Sequence, residues 1–183
     1  MNGVDFERYT ALDVETPNRF SRSFCSIGLV CRDNGTETLR LHMLIDPEDD
    51  FDAANIWIHG IRPEDVEGAP TLEAAWEQIE PLLTDRLVLA HNAPFDLPVI
   101  KRALERKDLC FPPLTTLCTL QKARRHIPKY AFGGHSLAAL TAGLGIQLEH
   151  HHNALDDALA CAELYEHLKD RYGCSDTDVK RYY

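Results

Sequence analysis

Asp13 and Glu15 stand two residues apart in the run Tyr9-Thr10-Ala11-Leu12-Asp13-Val14-Glu15-Thr16, whose alternation reads as a β-strand. Successive strand side chains point to opposite faces, so the two acids share one face while Leu12 and Val14 share the other. Neighbouring carboxylates repel, and a half-buried pair stays ionised only beside a compensating cation. A hard divalent ion such as Mg2+ or Mn2+ suits an all-oxygen ligand set. The alternative is an exposed acid pair at a strand end. Two further acids carry similar meaning. Asp96 follows the strand-like Arg86 to Ala90 and lies beside Pro94 and Pro98, which are tolerable only near a helix start. That position, just past a strand end, is where open α/β sheets place ligands.

The fourth acid is Asp157, on a helix expected from about Asn153 to Asp170. At 100° per residue it aligns with Cys161, Leu164 and Leu168, whereas Asp156 aligns with Glu163, His167 and Asp170. Asp157 is thus the buried one and needs a partner such as a metal. His152 precedes it by five residues and, with an ordinary pKa of about 6.5, can take a proton from an attacking water. Four acids converging on a sheet edge suit two cations about 4 Å apart, which clamp the attacking and leaving oxygens of a phosphoryl transfer.

The elements that position these groups are legible in order. Phe24 to Cys31 and Thr38 to Ile45 are strand-like runs flanking the turn Arg32-Asp33-Asn34-Gly35-Thr36, so the first three strands form an antiparallel meander. Thr71 caps a scaffold helix to about Leu83, with Leu72, Ala75, Trp76, Ile79 and Leu83 at helical spacing. A fifth strand spans about Thr115 to Cys118 and leads into a basic segment with Lys122, Arg124, Arg125, His126 and Lys129. Ser136 caps a further helix that Gly143 to Gly145 ends, and the tail from Gly173 to Tyr183 is expected to fray or dock loosely.

With 183 residues and 44% hydrophobic content, one domain over 1–183 is expected. No membrane span or basic leader is visible, and six scattered cysteines without a C-x-x-C pair read as reduced core thiols, so a cytoplasmic protein is expected. A net charge of -10 argues against coating duplex nucleic acid, although gripping a few terminal nucleotides needs little basic surface.

These residues resemble the DEDDh 3′-5′ exonucleases, the proofreading-subunit-like branch of the ribonuclease-H-like superfamily. Asp13-Val14-Glu15-Thr16 is similar to the first motif, D-x-E-T. His91-Asn92-Ala93-Pro94-Phe95-Asp96 is similar to the second, and His152-Asn153-Ala154-Leu155-Asp156-Asp157 to the third, H-x-A-x-x-D. The resemblance runs from about Tyr9 to Leu168. It implies an α/β, ribonuclease-H-like fold whose five-stranded mixed sheet joins an antiparallel meander to two parallel strands between helices.

The resemblance further implies two divalent ions, Mg2+ or Mn2+, held by Asp13, Glu15, Asp96 and Asp157, with Asp13 bridging and Asp96 acting often through water. His152 would be the general base. Contacts to the terminal nucleotide would come from Thr16, His59, Asn92 and Phe95. Phe95 is either a stacking aromatic or a core residue, His91 orders its loop rather than binding metal, and His150 and His151 are solvated neighbours of the base. The expected reaction is hydrolysis from a 3′ end of DNA, single-stranded or frayed, releasing nucleoside 5′-monophosphates. RNA is the second substrate, and a non-catalytic binding module the third reading. Pro17 to Phe20 depart from the Thr-Gly that many relatives carry after the first motif. No segment resembling a polymerase-binding extension is visible, so association with a polymerase is possible without being indicated. No membrane partner is expected.

Overall fold

The structure, a computed structural model, describes residues 3–183. A six-stranded sheet forms its centre, in the order β3-β2-β1-β4-β5-β6. Strands β1 (Arg8–Glu15), β2 (Ser26–Asp33) and β3 (Thr36–Leu44) make the expected meander. Its tight turn places Asn34 at φ 51° and Gly35 at φ 75°, left-handed values that Asn and Gly tolerate best and that match the twist of a two-residue hairpin. Strands β4 (Leu87–Ala90) and β5 (Leu114–Cys118) run parallel to β1.

Strand β6 (Val179–Tyr182) corrects two expectations, the five-strand sheet and the loose tail. It pairs antiparallel with β5 from Leu117↔Val179 to Leu114↔Tyr182. Without it the β5 edge would present unpaired backbone groups. A buried ion pair fixes the approach: Lys122, only 2% exposed, donates to the Gly173 carbonyl at 2.6 Å and to Asp178 Oδ2 at 3.0 Å.

The helices are α1 (Ala53–His59), α2 (Leu72–Leu83), α3 (Ala93–Glu105), α4 (Thr119–His126), α5 (Leu137–Leu144) and α6 (Ala154–Tyr172). Helices α1 and α4 stand where the sequence shows only a short segment and a basic run. Ser136 caps α5 through Oγ, which accepts from the Ala139 N–H at 3.2 Å. Thr71 occupies the cap position of α2, but its side chain bonds no helix N–H. No helix among the described residues is long and apolar enough to cross a membrane.

The two faces of β1 divide as its alternation demands. Leu12 and Val14 join a core with α2 and α3 residues such as Ile79, Leu83, Leu97 and Ile100. Tyr9 and Ala11 face α6 and pack with Ala158, Cys161, Ala162 and Tyr165. Asp13 and Glu15 continue that second face to the strand end, so α6 is the element that covers them. Its close approach depends on Gly28. A Cβ there would lie 2.2 Å from the Ala154 carbonyl oxygen and 2.4 Å from the Leu155 nitrogen, both backbone atoms of the first turn of α6. Only glycine lets this turn rest against β2.

Candidate active site

Three elements deliver the four acids. Strand β1 ends in Asp13 and Glu15; β4 turns through Asn92 into α3, whose first turn carries Asp96; the first turn of α6 carries Asp157. Asn92 adopts φ 89°, ψ 45°, and its carbonyl accepts from the Phe95 N–H at 2.7 Å, which reverses the chain sharply enough to aim Asp96 at the end of β1. Asn153 caps α6, its Oδ1 accepting from Leu155 at 3.1 Å and Asp156 at 3.3 Å. One turn of helix later Asp157 points to the sheet and Asp156 to the side, as the helical wheel predicts. Asp96 is 2% and Asp157 4% exposed.

Ligand oxygens of Asp13, Glu15 and Asp157 lie within 4.8 Å of one another. Asp96 stands outside that trio and lines the same cleft, of about 570 Å³, with Asn92, Phe95, His91, His151 and His152. Among the described residues none of the four acids pairs with Lys or Arg, and the one imidazole within hydrogen-bond reach of them is that of His151, beside Asp157. The cost appears in their protonation. Burial, then the charges of Asp96, Glu15 and Asp157, hold Asp13 well above the ordinary carboxylate range. Burial, then Asp157 and Asp96, push Glu15 up to about 8. Asp96 rises to about 7 because burial outweighs the hydrogen bonds it accepts from backbone N–H groups of itself and Val14. Each acid is thus harder to ionise beside the others than alone. Buried oxygens without basic partners are a donor set that fits hard divalent ions.

The histidines differ from their expected places. His151 is no mere solvated neighbour: its Nδ1 lies 3.0 and 3.2 Å from the two oxygens of Asp157. His152 donates its backbone N–H to Asp157 Oδ2 at 3.0 Å. Adjacent side chains in extended backbone point apart, but φ of 70° at His152 breaks the alternation and stacks the two rings with centroids 3.8 Å apart. Burial and the neighbouring His151 lower the His152 pKa below 6.5, leaving the imidazole neutral and able to accept a proton at pH 7. His150 pairs away from the site with Asp156 at 2.9 Å.

Phe95 is 41% exposed and lines the cleft, so it is not a core aromatic. Thr16 and His59 do not line it. His59 Nε2–H donates to the Thr16 carbonyl at 3.1 Å and Nδ1 accepts from Ile61 N–H at 3.0 Å, so both ring nitrogens are used in tying α1 to the end of β1. Asn55 adds bonds to the Thr16 carbonyl and hydroxyl at 2.9 and 3.1 Å. His91, expected to order its own loop, instead ties the end of β4 to the start of α4 and to the segment before α5. Burial lowers it to about 4, hence neutral, with Nε2–H donating to the His135 carbonyl at 3.0 Å and Nδ1 accepting from Thr119 Oγ1 at 2.9 Å. Sequence reasoning missed that α4 and the segment after it supply a wall of the cleft, through Arg124, Lys129, His135 and Ser136. Its only signal is the basic run.

Known proteins share this chain's sequence and fold. A Mycobacterium tuberculosis protein assigned as a bifunctional exonuclease/endonuclease is 29% identical over 174 residues, 93% of this chain and 26% of that protein. DNA polymerase III PolC-type of Listeria innocua is 32% identical over 165 residues, 88% of this chain and 11% of the polymerase. The chain therefore spans about a quarter or less of these relatives. Among solved structures, Exonuclease X in complex with 5′ overhanging duplex DNA has TM-score 0.74 at 23% identity, covering 93% of this chain and 96% of that one. The nuclease domain of 3′hExo, a DEDDh family member bound to rAMP, has TM-score 0.75 at 14% identity, covering 100% and 99%. Such identities establish the shared fold. The exonuclease (RNase_T) family model matches residues 4–165, and the chain belongs to that family.

Proposed function

We propose that this chain is a metal-dependent 3′-5′ exonuclease that removes nucleoside 5′-monophosphates from DNA ends, with single-stranded or frayed DNA as its substrate. The observation that supports it most is the cluster of four acids in one cleft, three with oxygens within 4.8 Å of one another and, among the described residues, none with a Lys or Arg partner. Asp13, Glu15 and Asp157 are the residues that would hold a pair of Mg2+ or Mn2+ ions directly, with Asp96 supporting the second. When bound, such ions supply Lewis-acid polarisation and charge neutralisation at the phosphate.

The chain's own residues do the rest. His152, neutral and open to the cleft, takes the proton of the attacking water. His151 shares Asp157 with the backbone of His152 and so fixes where the base stands. Phe95 offers a ring against which the terminal base stacks, a sequence-tolerant way to hold a single strand. Asn92 lies beside it, placed by the same turn. Thr16 and His59, bonded to each other at the β1 end, stand close enough to His152 to border the terminal nucleotide.

Two of these likenesses favour DNA, the PolC-type DNA polymerase and the Exonuclease X complex with 5′ overhanging duplex DNA. RNA is the second reading, favoured by the 3′hExo domain bound to rAMP. The four buried thiols, Cys25, Cys31, Cys118 and Cys161, are free and suit the reducing cytoplasm.

The test incubates 5′-labelled single-stranded DNA and RNA of one sequence with the protein, in Mg2+ or Mn2+ and in EDTA, beside Asp13→Asn. The expected result is a metal-dependent ladder shortened from the 3′ end on DNA, absent with Asp13→Asn. A ladder confined to RNA would move the substrate to RNA. Equal degradation in EDTA would overturn the metal-dependent assignment.

A further inference from the structure

The basic run after β5 divides by contact into two sets. Lys122 and Arg125 both bind Asp178, at 3.0 and 2.8 Å, and His126 stacks on Tyr172 with centroids 4.5 Å apart. These three groups fasten the C-terminal segment to α4. Arg124 and Lys129 are left over. Both are exposed, and among the described residues neither makes an ion pair or a side-chain hydrogen bond. Both line the cleft that holds the four acids.

In a protein of net charge -10, two cations facing its acidic cleft and spent on no carboxylate are free to meet an incoming anion. The position of Lys129 is built rather than loose. Its segment is pinned by the His91 bond to the His135 carbonyl and by His135 Nε2–H donating to the Ile127 carbonyl at 2.8 Å. Arg124 projects from the last turn of α4, whose opposite side is buried through Lys122 and Ala123. Tyr130, 88% exposed next to Lys129, offers a ring face for a base at the same place.

We propose that Arg124 and Lys129 hold the phosphates of the substrate strand upstream of the scissile bond. The scissile phosphate belongs with the acid cluster and its cations, so the next phosphates along the strand meet this wall. Each such contact releases counterions and gives binding its salt dependence. The proposal rests on the nuclease reading above and adds the path of the strand to it.

The experiment measures KM and kcat for an oligothymidylate and for the dinucleotide dTpdT, whose only phosphate is the scissile one, over a salt series in Mg2+. For the oligothymidylate, Arg124→Gln and Lys129→Gln should each raise KM about five- to tenfold and lower the slope of log(kcat/KM) against log[salt] by about 0.7. Arg124→Lys should keep the wild-type slope. Lys180→Gln, which removes an exposed charge on β6, should behave as wild type on both substrates and so corrects for net charge. Unchanged slopes in both Gln variants, or an equal KM rise on dTpdT, would overturn the inference while leaving the nuclease reading standing. A wild type that degrades neither substrate would overturn both.

Discussion

Replacing Glu15 with Gln should make the metal-free protein more stable while abolishing its activity. Glu15 is 8% exposed and lies within reach of Asp13 and Asp157 without a basic partner, and its carboxyl is pushed from 4.5 up to about 8. A folded-state pKa above the unfolded one favours the protonated carboxyl. Its contribution is fully present below about pH 4.5 and is lost as pH rises toward 8. With those two values the wild type forfeits about 3 kcal/mol at pH 7 and less than about 1 kcal/mol at pH 5. Gln mimics the protonated acid and is free of that loss. Thermal melts in EDTA should therefore place Glu15→Gln about 6–12 °C above wild type at pH 7, taking about 2–4 °C per kcal/mol for a chain of this size. At pH 5 the two curves should nearly coincide. Saturating Mn2+ should raise the wild type at pH 7 by about 2–3 kcal/mol at a hundred times the dissociation constant, and raise the variant less. A variant less stable than wild type at pH 7 in EDTA, or one with the same gain at pH 5, would refute the electrostatic account.

Three further substitutions probe other links. His152→Ala should lower kcat about 10²- to 10⁴-fold with Mn2+ binding by calorimetry retained; a kcat within a few-fold of wild type would assign the proton to another group. Gly28→Ala should lower stability by about 3 kcal/mol or more and depress activity with it, because α6 must retreat from β2 and takes Asp157 along; a chemical-denaturation midpoint within error of wild type would show that the contact yields cheaply. Asp178→Ala leaves Lys122 buried with a single carbonyl partner, and should cost about 3 kcal/mol and expose the β5 and β6 amides to hydrogen exchange. Unaltered protection in β6 would show that strand pairing alone holds the tail.

Residues close in sequence announced most of the site. Alternation put Asp13 and Glu15 on one face, helical phase turned Asp157 inward and Asp156 aside, and Pro94 placed Asp96 at a helix start; each follows from a repeat of two or 3.6 residues that the chain carries locally. The Asn34-Gly35 turn was legible for the same reason. What the sequence left open depends on partners far along the chain. The α6 carboxylate meets β1 only because Gly28 on β2 admits the helix, a contact across more than a hundred residues. His151 reaches Asp157 through a left-handed backbone at His152 that no side-chain pattern signals. His59, expected at the nucleotide, has both ring nitrogens taken by Thr16 and Ile61. The basic run could not be sorted before folding into charges that clamp Asp178 and charges that face the cleft. The tail that looked free becomes a strand because β5 has an open edge and Lys122 a buried charge. Backbone periodicity fixes which way a side chain points, whereas tertiary packing decides which unpaired edge, charge or ring nitrogen it meets.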